Sequence, residues 1–287
     1  MNGANITSLI GVVNKGTSSV NQMRNIMFLP YDKIGNTKIF KEFKANNMEA
    51  VLFENSHYKL EIRGQLLSQF HRDILDVIFA EGKLEPMAGE RGYVHFSIYS
   101  ILKRLGLRTD GEENYKRIEK KLKELKKVDF ILTSKEGLFE GDWVAFNLCD
   151  RAEYSKKLQE FVLVFSDSYL SMFQSDIMVD YNKYVPVLVQ MQSATLKALI
   201  RYVISNDFVN KSLDDLLEEI EVKRSDMTSR NFNIVKQKIK THKEELEAFG
   251  ITISDAEQVR YRKLKEVRFY NVEKELGKQE IINFGKQ

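Results

Sequence analysis

The sequence predicts an α+β fold in which one small plan is used twice, a three-helix unit closed by a β-hairpin in each half of the chain. Three observations predict it. Apolar residues recur at helical spacing in two separate blocks, short period-two runs follow each block, and turn-forming residues separate the runs.

Composition sets the frame. The 287 residues suffice for two ordinary domains, and a 43% hydrophobic content can give each a core. Only 3 prolines and short apolar runs among 30% charged residues argue against extensive disorder or a solenoid. No apolar run is long enough to span a bilayer, and the N-terminus lacks a charged region followed by an apolar block and a cleavage site, so a cytoplasmic protein is expected. The single cysteine, Cys149, cannot close an internal disulfide and is expected to be buried like an apolar residue. A net charge of +3 is too small to indicate a nucleic-acid partner, so the segregation of charge matters more. Lys116 to Lys127 reads KRIEKKLKELKK, whereas Ser212 to Glu221 reads SLDDLLEEIE. Either run alone could be a solvated helix face.

The elements follow in order. Residues 1–45, rich in Asn, Gly, Ser and Thr, read as an arm or linker. Met48 to Phe53 and Tyr58 to Ile62 read as a hairpin turning over Glu54, Asn55 and Ser56. Helical spacing runs from Leu66 through Ala80, and Gly82, Pro86 and Gly89 break it. Tyr93 to Phe96 has strand chemistry, and Ser97 can cap a helix that ends at Gly106. A further helix turns Tyr115, Ile118, Leu122 and Leu125 inward, and strands Val128 to Ser134 and Trp143 to Leu148 follow, joined by a loop from Lys135 to Gly141. This is the winged-helix order.

The order then repeats. A strand at Phe161 to Phe165 precedes a short helix at Ser168 to Phe173 and an extended stretch from Val179 to Val189. Ser193 and Ser212 open two helices, and a long helix follows Ser225. Strands Ile251 to Ser254 and Leu264 to Tyr270 flank a loop containing Gln258, Arg260 and Arg262. The expected division is two tandem winged-helix domains, 46–160 and 161–272, with a tail at 273–287.

The long helix carries the most informative chemistry. Phe232, Val235, Ile239, Leu246 and Phe249 form its apolar stripe, so the opposite face presents Arg230, Asn233, Gln237 and Lys240, with Ser229 at the edge. Arg can pair with guanine, and Asn or Gln with adenine, in a major groove, which makes Arg230, Asn233 and Gln237 the candidate base readers. Ser229 and Lys240, with Arg260, Arg262, Lys263 and Lys265 in or beside the hairpin, are candidate backbone contacts. In the first domain Lys116, Arg117, Lys120 and Lys121 suit phosphate tracking or a solvated face equally well.

Other chemistries find little support. His57, His71, His95 and His242 are isolated in sequence, so the paired-histidine metal site of a rolling-circle initiator is not expected. No GxxxxGK[ST] loop, cysteine zinc site or Ser/His catalytic motif is present, and Asp214, Asp215, Glu218 and Glu219 read as an acidic helix face. We therefore expect no enzyme activity, cofactor or metal. A winged-helix transcriptional regulator and an assembly adaptor that does not bind DNA remain open from the residues alone.

The succession VLFENSHYKLEIRGQLLSQFHRDILDVIFA, YVHFSIYSILKRLGL and YKRIEKKLKELKKVDFIL, followed by FVLVFSDSYLSMF, YNKYVPVLVQMQSATLKALIRYVIS and a segment ending in VRFY, resembles the TrfA-like plasmid replication initiators. These belong to the winged-helix, iteron-binding Rep proteins, and the resemblance runs from about Met48 to Tyr270 through diffuse patterns. It implies a first domain for self-association and DNA-backbone contact, and a second that reads iterons, the direct repeats of double-stranded DNA at a plasmid origin. It also implies the host initiator DnaA, the replicative helicase and a second copy of the chain as partners. A monomer would start replication and a dimer would limit copy number, in a bacterial cytoplasm.

Overall fold

Side-chain hydroxyls start many of the helices, because they satisfy first-turn N–H groups that have no intrahelical partner. Thr37, Ser97, Ser166, Ser193, Ser212 and Thr228 each accept such a bond. The structure, a computed structural model, describes residues 6–24, 27–81, 84–87, 91–135, 142–155, 157, 160–174 and 176–284, with side chains as far as Lys278. The first half contains α1 (Ile6–Val13), β1 (Ser18–Ser19), α2 (Val20–Arg24), α3 (Lys38–Ala45), β2 (Glu49–Glu54), β3 (Tyr58–Arg63), α4 (Gln69–Ala80), β4 (Glu85–Met87) and β5 (Arg91–Ser97). It continues with α5 (Ile98–Arg104), α6 (Glu112–Leu125), β6 (Asp129–Ser134), β7 (Trp143–Asn147), β8 (Cys149–Ser155) and β9 (Glu160–Phe165). The second half contains α7 (Asp167–Ser171), β10 (Ile177–Asp180), α8 (Val185–Gln190), α9 (Ala194–Ile204), β11 (Phe208–Ser212) and α10 (Leu213–Glu219). Then come α11 (Ser229–Thr241), α12 (Lys243–Glu247), β12 (Ile251–Ile253), β13 (Gln258–Arg262), β14 (Arg268–Asn271) and α13 (Val272–Phe284).

Among the described residues these elements make a mixed α+β fold with four small antiparallel sheets around one continuous core. In the second half, β11 pairs with β13 and β13 with β12, so the hairpin closes on the strand between α9 and α10. The first half has the same order of elements with different pairing. Its hairpin β6–β7 extends β2–β3 into a four-stranded sheet, while β5 pairs with β4 and β9, and β9 with β8. The chain changes sheets at Leu148, between β7 and β8.

Several expectations need correction. The described residues within 1–45 are not a loose arm: Leu9, Ile10, Val12 and Val13 are buried, and β1 pairs with β10. The strand at Phe161–Phe165 belongs with the first half, since its partners are β5 and β8. The stretch Val179–Val189 is β10 followed by the helix α8, because Pro186 sits in a first helical turn, where a missing N–H leaves no bond unmade. The long helix is interrupted at His242, and its apolar Leu246 and Phe249 lie beyond that break. Gln258–Arg262 is itself the second strand of the hairpin, and its tip is Ser254–Glu257; β14 instead pairs with β10. The 273–287 tail is helical as far as Phe284, with Leu276 buried and Glu275 ion-paired to Lys15 at 2.6 Å. Most of the loop predicted between β6 and β7 lies outside the described residues.

The two halves meet along α4 and α9, where an ionic cluster is buried inside the shared core. Asp73 and Asp76 of α4 are fully buried. The Arg201 guanidinium of α9 donates to Asp73 and to Asp76 at 2.7 Å each and to Gln69 Oε1 at 2.5 Å, while Lys197 donates to Asp73. Arg72 lies 2.8 Å from Asp76 and donates to Ser18 and to Gln22, so the N-terminal segment closes the same cluster. Removing one member of a buried ion pair strands the other charge, at a cost of about 3–5 kcal/mol. Asp76→Ala is expected to lose about that much in urea unfolding; a loss comparable with an exposed substitution would show that the cluster does not hold the halves together.

Candidate nucleic-acid interface

Thr228 caps α11, and the helix then buries Phe232 and Ile239 while Val235 is partly covered. With that face fixed inward, Arg230, Asn233 and Gln237 are exposed and share an open surface with Ile234, Lys238 and Thr241. Ser229 is exposed at the start of the helix. Lys240 departs from the expected row: it is partly covered and reaches Glu257 at the hairpin tip at 3.4 Å. The residue that sequence reasoning missed is Lys236. It is buried, 2.5 Å from Asp214 of α10, and also paired with Glu257. Its ammonium therefore ties α11 to the helix before it and to the hairpin after it. Burial opposes the charge of Lys236, but its bonds to Asp214 and Glu257 outweigh that and raise its pKa.

The hairpin places its cations differently from the expected loop. Arg260 and Arg262 alternate with buried Val259 and Tyr261, so they project from the outer face of the sheet. There Arg262 stands opposite Phe208, which is 65% exposed, and Arg260 opposite Asn210 and Thr252. Lys263 is turned aside, 2.6 Å from Asp207 and with its ammonium 4.5 Å from the centre of the Phe269 ring. Lys265 is exposed in the following turn.

In the first half, carboxylates and an aromatic ring occupy much of the basic run. Lys116 pairs with Glu112 at 2.9 Å, Lys121 with Glu124 at 2.7 Å, and the Arg117 guanidinium lies 4.1 Å from the centre of the Phe70 ring. Lys120 is 76% exposed and no nearer than 4.0 Å to Glu124. The acidic helix α10 is occupied in the same way: Glu219 pairs with Lys211, Asp214 with Lys236, and Glu218 accepts the Arg224 backbone N–H.

Glu124 also fastens α6 to α4. His71 Nδ1 accepts the Ser68 backbone N–H at 2.9 Å, which leaves Nε2–H to donate to Glu124 at 2.9 Å. Burial holds the His71 imidazolium below its ordinary 6.5. Burial also opposes ionisation of Glu124, but its bonds to His71 and Lys121 outweigh that and hold the carboxyl at about 2. A base with a lowered folded pKa stabilises the fold above its unfolded pKa, and that stability fades below it; a lowered acid behaves likewise below its own ordinary value. The His71 contribution is therefore lost first, as pH falls through 6.5, and that of Glu124 below 4.5. Thermal denaturation at pH 7 and pH 5 is expected to show a larger drop in Tm for the unsubstituted protein than for His71→Gln; equal drops would count against a buried neutral ring.

The fold and surface so far define a mixed α+β protein with an exposed polar helix face in its second half. Its path resembles that of the crystal structure of domains 2 and 3 of RctB, with a TM-score of 0.54 and 12% identity over 88% of this chain and 95% of that chain. A second structure, RctB residues 155–483, aligns over 80% of this chain and 92% of its own at 11% identity, with a TM-score of 0.42. At such identity the first likeness is one of fold. No protein-family model matches the chain, and no curated protein matches it by sequence.

Proposed function

We propose that this chain is a replication initiator of the plasmid iteron-binding kind, which recognises repeated duplex sites through α11 and recruits host replication proteins to them. One observation carries the reading: Arg230, Asn233 and Gln237 stand exposed on a helix whose opposite face is buried and whose orientation Lys236 fixes. A helix is about 10–12 Å across with its side chains, and a major groove about 12 Å wide admits it. The order α9–β11–α10–α11–β12–β13, with β11 closing on the hairpin, supports a winged-helix reading of the second half. The first half is then a variant whose wing has joined the β2–β3 hairpin, and β9 moves its functional boundary from 160 to about 165. The fold shared with RctB domains 2 and 3 supports a two-part architecture, and the sequence resemblance to TrfA-like initiators points to replication.

On this reading the protein acts by binding, with no cofactor and no catalytic group. Copies placed on tandem repeats bend or strain the duplex so that neighbouring AT-rich DNA opens, and helicase loading falls to recruited DnaA and helicase. Footprinting on DNA of its own replicon is expected to give regularly spaced protection over direct repeats. A single protected operator would favour a transcriptional regulator, and no protection an adaptor.

Two substitution series test the contacts. Arg230→Ala or Gln237→Ala should weaken cognate binding by about 1–3 kcal/mol and relax preference at one base position, read on a panel of base-substituted duplexes. Unaltered preference in both variants removes them from base reading. Lys120→Gln should make the slope of log affinity against log salt shallower by about 0.9 on cognate and unrelated duplexes alike. Arg117 and Lys121, already stacked or paired, should contribute less to that slope.

A further inference from the structure

The flank of α11 away from the hairpin faces the N-terminal segment. Lys236 and Lys240 turn one side of the helix to Glu257, while Asn231, on the other side at about 100° per residue, lines a cleft of about 530 Å3 shared with Lys38 and Glu42 of α3. Two bonds hold the far wall of this cleft in place. Lys38 lies 3.2 Å from Asp226 in the turn that leads into α11, and Tyr31, just before α3, donates its hydroxyl to the Glu221 carbonyl at 2.9 Å. α3 itself is anchored by buried Phe43, and its opposite face carries exposed Lys38 and Lys41, with Lys44 at the edge. The carboxylates of Glu42, Glu54, Glu221 and Asp226 line the cleft together with Lys38 and Lys223, whereas Lys41 and Lys44 of α3 are not part of its lining and are exposed, so an anion would meet those two outside the cleft.

We propose that α3 is a second phosphate-binding element, which grips the strand of the duplex that the hairpin does not reach. The inference rests on α11 entering a major groove. A helix that fills the groove has one phosphate backbone on each flank. The hairpin occupies one flank of α11 and α3 the other, so the two sit over opposite strands. Contacts to phosphate set affinity and orientation without reading sequence, which suits lysines at helical spacing beside a row of Arg, Asn and Gln.

Cys149, the only cysteine, is fully buried, and burial pushes its thiol up to about 12, so a cysteine introduced at the surface can be labelled selectively. Ala45, at the end of α3, and Ala256, at the hairpin tip, are both exposed. Iron chelates that generate hydroxyl radicals are attached to Ala45→Cys and, separately, to Ala256→Cys, and each protein is bound to a duplex that the unsubstituted protein selects from a random-sequence pool. Strand breaks from the two positions are expected on opposite strands of one site. The double variant Lys41→Gln, Lys44→Gln should also have a shallower salt slope, by about 0.9 per lost contact, with base preference unchanged. Breaks from position 256 without breaks from position 45, or an unchanged slope, overturn the role of α3 and leave the α11 reading standing. Failure to select any duplex overturns both.

Discussion

Asp73 and Asp76 lie side by side on α4 with no exposure to solvent, and Arg72, Lys197 and Arg201 surround them. A buried carboxylate cannot keep its charge at acceptable cost unless cations and hydrogen-bond donors take the place of water. Here the cations come from α9, with Arg201 and Lys197, and from α4, with Arg72, while Ser18 and Gln22 near the N-terminus accept from Arg72. The cluster assembles only when α4, α9 and the N-terminal segment hold one arrangement. Apolar residues of similar size could supply as much stability; the ion pairs and hydrogen bonds add directional contacts made in this one arrangement.

That constraint propagates outward through a few specific bonds. α4 holds α6 through His71 and Glu124, so the basic run of the first half takes its position from the central cluster. Ser205, at the end of α9, accepts from Arg24, and Thr195 near the helix start donates to the Pro30 carbonyl, so the N-terminal segment is pinned to the second half at both ends of α9. Tyr31 then reaches Glu221, and Lys38 at the start of α3 pairs with Asp226, just ahead of α11. The N-terminal segment is thus a strap across both halves.

Locally determined features were legible in the sequence. The caps at Ser97, Ser193 and Ser212 were visible because a hydroxyl and the N–H it accepts from lie three residues apart. The exposure of Arg230, Asn233 and Gln237 followed from the spacing of Phe232 and Ile239. Sheet partners were not legible, because period-two alternation says which face of a strand is buried and nothing about its neighbour. Sequence order alone therefore puts β9 in the wrong half and β14 in the wrong hairpin. Lys236 and Lys240 show the same limit within one helix: their different burial depends on Glu257, which is remote in sequence and turned back by the hairpin. The N-terminal segment reads as a loose arm for a related reason, since Leu9 to Val13 is too short an apolar run to declare its partner, α13.

Charge pairing occupies many of the chain's 44 basic residues. Lys116, Lys121, Lys211, Lys236, Lys240 and Lys263 all have carboxylate partners within their own half. All but the buried Lys236 pair are at or near the surface and add little stability, about 0–1 kcal/mol each, but they lower the local positive potential that would draw in any polyanion. The exposed face of α11 offers hydrogen-bonding side chains with a single guanidinium at Arg230 and one ammonium at Lys238. Non-specific affinity grows with the number of phosphates neutralised, whereas discrimination grows with the number of base edges met by matched donors and acceptors. On the duplex reading, pairing its lysines internally therefore shifts the balance of this protein from holding any DNA toward choosing among sequences, and the exposed cations that flank α11 serve to set the helix in its groove.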